Sequence, residues 1–168
     1  MHLTPDELRR RTFERAVKLL AAKPRSVAEL RQRLLRSKGI NEQIVETVIS
    51  RLQEYGYLND ERFAFGYASY KVKQRPVGRR RLERDLKLKK VTSAVANEAL
   101  ELVYAETSEE QLIDQAIAKR LRIRGRPKNR AEAKSLFDHL LRQGFQFELV
   151  SDKVRSLATD FTDDTDVR

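Results

Sequence analysis

Two stretches of the chain concentrate positive charge with few acids to balance it. Between Lys71 and Lys90 there are ten basic residues and only two acids, Glu83 and Asp85. The basic residues of this first run are Lys71, Lys73, Arg75, Arg79, Arg80, Arg81, Arg84, Lys87, Lys89 and Lys90. The second run has seven basic residues and no acid: Lys119, Arg120, Arg122, Arg124, Arg126, Lys128 and Arg130. Solvated helices usually alternate the sign of their charges so that opposite charges pair four residues apart, and these runs do not alternate in this way.

The chemistry that suits such runs is contact with phosphate, as in non-specific nucleic-acid binding. A complementary acidic protein surface is the alternative partner. Solubility alone is the simplest explanation of the net charge of +10, but that charge repels itself unless an anionic partner compensates it. Few aromatic residues are available to stack on bases, because Tyr67 and Tyr70 fit a helix core better. The sequence therefore favours phosphate contact over base recognition.

Groups that would support catalysis or metal binding are missing or scattered. The chain has no cysteine and two histidines, His2 near the terminus and His139 beside Leu140. His139 fits packing on a helix better than metal ligation. The adjacent acids Glu109 and Glu110 stand at a predicted helix start, where they complement the helix dipole. No glycine-rich phosphate loop is present, so we predict a protein that is not an enzyme and uses no cofactor or metal.

The sequence lacks the apolar patterns of a membrane span and of a signal peptide. No apolar run approaches the roughly eighteen residues of a membrane span, and no signal-peptide core follows the N-terminus, so a cytoplasmic location is expected.

The segment 159–168 carries four aspartates and few apolar residues that could be buried. We predict a disordered, solvating acidic tail there, with shielding of a basic face in cis as the alternative.

Helix-start and helix-stop signals predict helices along the whole chain. Ser26 with Glu29 forms a capping box, as does Thr4 with Glu7 before a first-turn proline. Further N-caps are predicted at Asn41, Asn59, Ser108 and Asn129. Gly39, Gly56 and Gly144 follow apolar stripes and are predicted to end helices, where a positive φ favours glycine.

Apolar residues also recur with a period of about fifty residues, which indicates internal repetition. Aligned on Gly39, Lys90 and Gly144, five positions match across three rounds. They are Leu35, Leu86 and Leu140; Ile40, Val91 and Phe145; Ile44, Val95 and Leu149; Ile49, Leu100 and Val154; Leu52, Val103 and Leu157. We predict an all-α chain of three tandem three-helix repeats forming an elongated, curved array. The predicted repeats are 1–58 (with an N-terminal helix extension), 59–106 and 107–158, and both basic runs fall at a junction between first and second helices.

One segment is more specific than these periodic features. Gly56-Tyr57-Leu58-Asn59-Asp60-Glu61-Arg62-Phe63-Ala64, preceded by a Lys38-Gly39-Ile40 turn, resembles the hallmark of the RecX regulatory family. The resemblance extends from about Phe13 to Leu157. The chain departs from the family pattern at Lys90, where the second repeat usually has glycine. A left-handed backbone would cost a non-glycine residue roughly 1 kcal/mol, so we expect that turn to be reshaped.

The resemblance implies a modulator of the RecA recombinase. Members of the family have three-helix repeats, lie in the groove of the recombinase filament on single-stranded DNA, and inhibit its ATP hydrolysis and strand exchange, which belong to DNA repair, recombination and the SOS response. The expected partners are that filament and single-stranded or duplex DNA through phosphate contacts, and a monomer is expected. The expected contact residues are the two basic runs from Lys71 to Lys90 and from Arg120 to Arg130.

Two other functions stay open from the residues alone. The chain could be a free-standing, non-specific helical DNA-binding protein. A helical-repeat DNA repair enzyme fits less well, because base excision needs a pocket carboxylate and aromatic walls.

Overall fold

The computed structural model describes residues 4–158, and all regular structure in that range is helical. Nine helices are found there: α1 Pro5–Ala22, α2 Val27–Leu35, α3 Glu42–Glu54, α4 Asp60–Gln74, α5 Arg79–Leu88, α6 Ser93–Glu106, α7 Glu109–Arg124, α8 Arg130–Arg142 and α9 Phe147–Ala158. The all-α prediction with three tandem three-helix groups is confirmed. His2 and the predicted acidic tail lie outside the described residues. None of the described helices is long and apolar enough to cross a membrane.

The predicted N-caps form because polar side chains satisfy backbone N–H groups that the first helical turn leaves without partners. Ser26 and Glu29 make both bonds of a capping box at the start of α2. The side-chain oxygen of Asn41 accepts from the Ile44 N–H at 2.9 Å. Asn59 accepts from the Arg62 N–H at 2.7 Å. Each such cap is worth about 1 kcal/mol of stability, so the local sequence strongly fixes where these helices begin.

The described residues group into two compact units. The first unit contains residues up to Tyr67 together with Leu86–Ala99, and the second contains Ala68–Asp85 together with residues from Leu100 onward. Helices α4, α5 and α6 each contribute residues to both units. This grouping by spatial contact leaves the repeat boundaries read from the sequence as a prediction.

Each unit has its own apolar core. In the first unit Ala16 of α1 and Leu30 of α2 pack with Val45, Ile49 and Leu52 of α3. In the second unit the core is formed by residues of α7, α8 and α9 and the turn before α9: Leu112, Ile113, Ala116, Ile117, Ala133, Leu136, Leu140, Phe145, Val150 and Val154. None of the apolar positions aligned at the fifty-residue period is exposed. The period therefore marks the residues that the core needs.

One residue assigned to the core from the sequence is not in it. Tyr70 of α4 is 60% exposed, whereas Ala64 and Ala68 on the same helix are fully buried. The buried side of α4 therefore carries the two alanines, and Tyr70 lies on its exposed side. The prediction that Tyr70 is a core residue was wrong.

The turn at Lys90 keeps the left-handed backbone that its glycine counterparts adopt. Its φ is 58°, and those of Gly39 and Gly144 are 78° and 91°. The Val91 N–H donates to the Leu86 carbonyl and the Lys90 N–H donates to the Lys87 carbonyl, at 3.1 and 2.9 Å. This is the two-bond pattern that commonly ends helices, and buried Val91 and Leu86 supply its apolar contact. The expectation of a reshaped turn was wrong, because two hydrogen bonds and a buried contact hold lysine in the glycine conformation.

Lys90→Gly is expected to stabilise the protein. Glycine removes the left-handed strain, worth about 1–2 kcal/mol, and part of that gain is offset by its greater freedom in the unfolded chain. We expect a net rise of about 0.5–1 kcal/mol in the free energy of unfolding, measured by urea titration. Lys87→Gly, at an exposed helical position of the same helix, should instead lower it by about 1 kcal/mol. Equal effects of the two substitutions would contradict this account of the turn.

Two junctions with related hydrogen bonds involve the second helix of a three-helix group. In each, the start of that helix (α2 or α5) contacts helices of the next group along the chain. At the first junction, the Val27 N–H at the start of α2 donates to Asp60 Oδ1 of α4 at 2.8 Å. The Ser26 hydroxyl donates to the Lys89 carbonyl at the end of α5 at 2.6 Å. The positive end of the α2 dipole therefore meets an acid and the negative end of α5, which is a favourable arrangement.

The second junction repeats this arrangement one group later. The Arg79 N–H at the start of α5 donates to Glu109 Oε1 of α7 at 3.0 Å. The Gly78 N–H donates to the Gln143 carbonyl at 3.0 Å, and the Arg80 N–H donates to the Gly144 carbonyl at 3.1 Å. Backbone meets backbone here because neither glycine has a side chain in the way. The start of α5 is thereby fixed on the end of α8.

Candidate nucleic-acid interface

The first basic run occupies the end of α4, the following loop, all of α5 and the turn after it. Its members differ in exposure. Lys73, Arg75, Arg80, Arg84, Lys87 and Lys90 are exposed, whereas Lys71, Arg79, Arg81 and Lys89 are partly buried. The structure therefore distinguishes the side chains that a binding partner can reach from those that are partly covered by the rest of the protein.

Arg80, Arg84 and Lys87 form an α5 stripe. They are spaced by four and three residues, so they share one face of the helix. Leu82 and Leu86 on the opposite face are fully buried. The burial of these two leucines fixes the rotation of α5 and directs the stripe to solvent. Such a row of cations suits consecutive phosphates of a nucleic-acid backbone.

Three predicted contact residues have partners within the fold. The Arg79 guanidinium donates to Glu83 at 3.1 Å, and the Arg81 guanidinium donates to the Gln143 side chain at 3.3 Å. The Lys89 ammonium contacts Glu29 at 3.3 Å. It also lies over the Phe63 and Tyr67 rings, 6.0 and 5.2 Å from their centroids. These three cations contribute to structure, so they are the weaker candidates for contact with a partner.

The second basic run covers the end of α7, the connecting loop and the start of α8. Gly125 has a φ of 78°, and its N–H donates to the Leu121 carbonyl at 2.8 Å, so the chain turns sharply there. Beside it lies a cleft of about 190 Å³ whose polar lining is Arg120, Arg124, Glu132 and Ser135. We call this the α7–α8 cleft. Arg122, Arg124, Arg126, Lys128 and Arg130 of the second basic run are all exposed.

Glu132 limits what the α7–α8 cleft can bind. Its backbone N–H donates to Asn129 Oδ1 at 2.9 Å, and its carboxylate accepts from the Lys128 N–H at 2.8 Å. The carboxylate therefore already occupies the N-terminus of α8. We expect an incoming phosphate to contact the arginine side chains of the cleft instead of the helix N-terminus.

His139 of α8 lies close enough to Arg120 of the second basic run for that charge to affect its pKa. Partial burial is the main cause that lowers its pKa from the usual value, and the positive charges of Arg120 and Arg142 lower it further. The neutral imidazole is thus favoured in the folded protein.

This shift predicts a loss of stability in acid that His139→Gln should reduce. The folded-state pKa lies below the unfolded-state value of about 6.5. The contribution of neutral His139 to the free energy of unfolding is therefore complete above about pH 6.5. It is lost as the pH falls through that value and then through the folded-state pKa. Urea unfolding at about pH 7.5 and about pH 5.5 should show a smaller pH effect in the variant than in the parent protein. An unchanged difference between the two pH values would contradict the prediction.

A third basic surface was not predicted. Arg9 and Arg10 of α1, which belong to the triplet Arg9-Arg10-Arg11, and Arg51 of α3 line a groove in the first unit. Pairing of α1 with α3 brings Arg51 beside the two α1 arginines, and only the tertiary structure shows that contact. Within residues 4–158 there is no cluster of three or more His, Asp or Glu side chains that could hold a metal.

Comparison with known proteins gives the family. The RecX model of a first three-helix domain matches residues 13–52, and that of a second three-helix domain matches residues 59–100. The regulatory protein RecX of Amycolatopsis mediterranei (strain U-32) is 30% identical over 164 residues, which is 95% of this chain and 93% of the relative. The chain belongs to the RecX family. The RecX of Treponema pallidum (strain Nichols) is 38% identical over 110 residues, covering 66% of each chain.

Solved RecX structures have the same fold. The crystal structure of RecX from Lactobacillus salivarius aligns with a TM-score of 0.80 at 19% identity, covering 92% of this chain and 99% of that one. A second crystal structure of regulatory protein RecX aligns with a TM-score of 0.77 at 16% identity, covering 93% and 79%. This RecX-family protein therefore keeps the family fold with few identical residues.

Proposed function

We propose that the protein binds the RecA recombinase filament on single-stranded DNA and inhibits its ATPase, strand exchange and growth. RecX-family membership supports the RecA target. The exposed α5 stripe supports contact with the phosphates that such a filament carries. The proposal places the protein in recombinational repair and the SOS response, in the cytoplasm, as a monomer and without catalytic activity of its own.

The proposed mechanism uses the fixed spacing of basic surfaces within each unit. The second junction holds the start of α5 on the end of α8, so the Arg80–Arg84 part of the α5 stripe has a defined position relative to α8. Surfaces held in this way contact neighbouring recombinase subunits and the DNA between them. Holding subunits at one spacing opposes the rearrangement that accompanies ATP turnover, which slows hydrolysis and exchange.

The experiment adds the protein below the molar amount of recombinase assembled on single-stranded DNA. Bridging predicts that less than one molecule per recombinase subunit lowers the rate of ATP hydrolysis and strand exchange. Unchanged rates at equal DNA occupancy would contradict the proposal. A free-standing DNA-binding protein would act only at amounts that cover the DNA.

A further inference from the structure

A groove of about 500 Å³ lies between α1 and α3 in the first unit. Phe13 and Val48 give it an apolar lining, and Arg9, Arg10 and Arg51 line it with positive charge. All three arginines are exposed. One acid, Asp6, also lines the groove and accepts from the Arg9 guanidinium at 2.5 Å. Three cations against one carboxylate leave the groove positive.

Two tyrosines continue the apolar lining outward. The Tyr55 ring meets Phe13 edge to face, with 6.1 Å between centroids, and the Tyr57 ring meets Tyr55 in the same way at 6.2 Å. Tyr55 is 56% exposed and Tyr57 is 60% exposed. The three rings and the three arginines together form what we call the arginine–tyrosine surface.

The residues next to Tyr57 have structural roles in the turn, whereas the exposed ring of Tyr57 does not. Gly56 has a φ of 71° and lets the chain turn out of α3. Leu58 is only 3% exposed, and Asn59 caps α4. The Arg62 guanidinium donates to the Gly56 carbonyl and holds the turn. Within this well-anchored turn, the Tyr57 ring contacts another exposed tyrosine and is itself mostly exposed to water.

We propose that the arginine–tyrosine surface binds single-stranded nucleic acid, with unpaired bases stacking on Tyr55 and Tyr57 and backbone phosphates bound by Arg9, Arg10 and Arg51. A positive groove beside exposed aromatic faces is the combination that binds single strands without sequence preference. An acidic protein surface would satisfy the arginines but offers the two rings no flat partner. Duplex DNA fits less well, because its bases are already stacked.

This site extends the proposed function, because the recombinase filament carries single-stranded DNA. Its role in the cell therefore rests on that proposed function. From the sequence, few aromatic residues were expected to be available for stacking on bases. That expectation considered Tyr67 and Tyr70 and did not consider Tyr55 and Tyr57.

The test measures binding of an oligothymidine by the full chain carrying Tyr55→Leu and Tyr57→Leu. The chain has five tyrosines and no tryptophan, so the part of the fluorescence quenching that the double variant loses reports contact of the oligonucleotide with Tyr55 and Tyr57. Anisotropy of a labelled oligonucleotide gives the affinity of both proteins. We expect at least about tenfold weaker binding of the single strand by the double variant, and little change for a duplex of equal length.

Tyr70→Leu is the matched control. Tyr70 is also 60% exposed but belongs to the second unit, so its loss should leave single-strand affinity unchanged. Urea unfolding checks that each variant is folded. As a second measurement, photocrosslinking to 5-iododeoxyuridine should attach the oligonucleotide to Tyr55 or Tyr57 of the parent protein.

Three outcomes would overturn the site. The double variant could bind the single strand as the parent protein does, or Tyr70→Leu could weaken binding equally. The double variant could also keep oligonucleotide binding and lose only filament binding, which would assign the surface to a protein partner. Failure of the proposed function looks different: recombinase ATPase would be unaffected by the parent protein, while the tyrosine-dependent binding of the oligonucleotide persisted.

Discussion

Gly78→Ala is expected to lower the free energy of unfolding by about 3 kcal/mol. A Cβ atom at Gly78 would lie 2.1 Å from the Phe145 nitrogen and 2.3 Å from the Gly144 oxygen. Both are backbone atoms of a turn anchored in the second core, so they cannot rotate away as a side chain could. Overpacking of this kind costs about 1–3 kcal/mol, and parting the two segments would also weaken hydrogen bonds worth about 1 kcal/mol each.

Gly66→Ala is the control for this prediction. Gly66 lies inside α4, and an added Cβ there would meet nothing within 4 Å. Alanine at an unhindered helical position should raise stability by about 0.5–1 kcal/mol. Urea titration of the two variants should therefore give effects of opposite sign. Equal stability of Gly78→Ala and the parent protein would show that the second junction is not tightly packed.

Neutralising the α5 stripe is expected to weaken binding to single-stranded DNA roughly 10²-fold at about 0.05 M salt. The variant combines Arg80→Gln, Arg84→Gln and Lys87→Gln. Loss of three phosphate contacts should make the plot of log affinity against log salt less steep by about 2 units, because each contact on a single strand contributes about 0.7. The slope is the informative measurement, since a general loss of folding would not change it in this way.

A charge-matched control separates the stripe from net charge. Lys18→Gln, Arg33→Gln and Lys38→Gln remove the same charge from exposed positions outside both basic runs. This control should keep most of the affinity and nearly all of the slope. Equal losses in the two triple variants would mean that overall charge, not the stripe, attracts DNA.

The α7–α8 cleft can be tested against the α5 stripe in the same assays. Arg122→Gln, Arg124→Gln and Lys128→Gln neutralise one cation that lines the cleft and two exposed cations of the same basic run. If one triple variant loses only filament binding and keeps DNA binding, the surface it alters faces the recombinase. Arg79 and Arg81 are unsuitable for this comparison, because both have partners inside the fold.

Local sequence predicted the helices well because their starts and ends depend on neighbouring residues. Asn41, Asn59 and Asn129 each cap the helix that follows, and each acts within three residues. The fifty-residue period predicted core positions because buried residues must keep matching registers in each three-helix group. Lys90 shows the limit of this approach. Its backbone conformation is imposed by the Leu86–Val91 contact, which a single residue preference does not reveal.

The candidate sites were less predictable, because exposure and proximity depend on tertiary packing. Within a run of ten basic residues, the sequence could not tell Arg84, which is exposed, from Lys89, which contacts Glu29 and two rings. The groove between α1 and α3 unites residues about forty positions apart. Tyr55 and Tyr57 could have been noticed as two tyrosines around a turn glycine. Their proximity to Phe13 and the arginines needed the structure.

The most direct test of the proposed function compares two targets for the same protein. One is a labelled single-stranded oligonucleotide alone, and the other is that oligonucleotide covered by RecA held in its ATP-bound form. A filament modulator should bind the covered strand at least about tenfold more tightly at about 0.15 M salt, because protein contacts add to screened phosphate contacts. Equal or tighter binding to the bare strand would contradict the account and identify a free-standing DNA-binding protein.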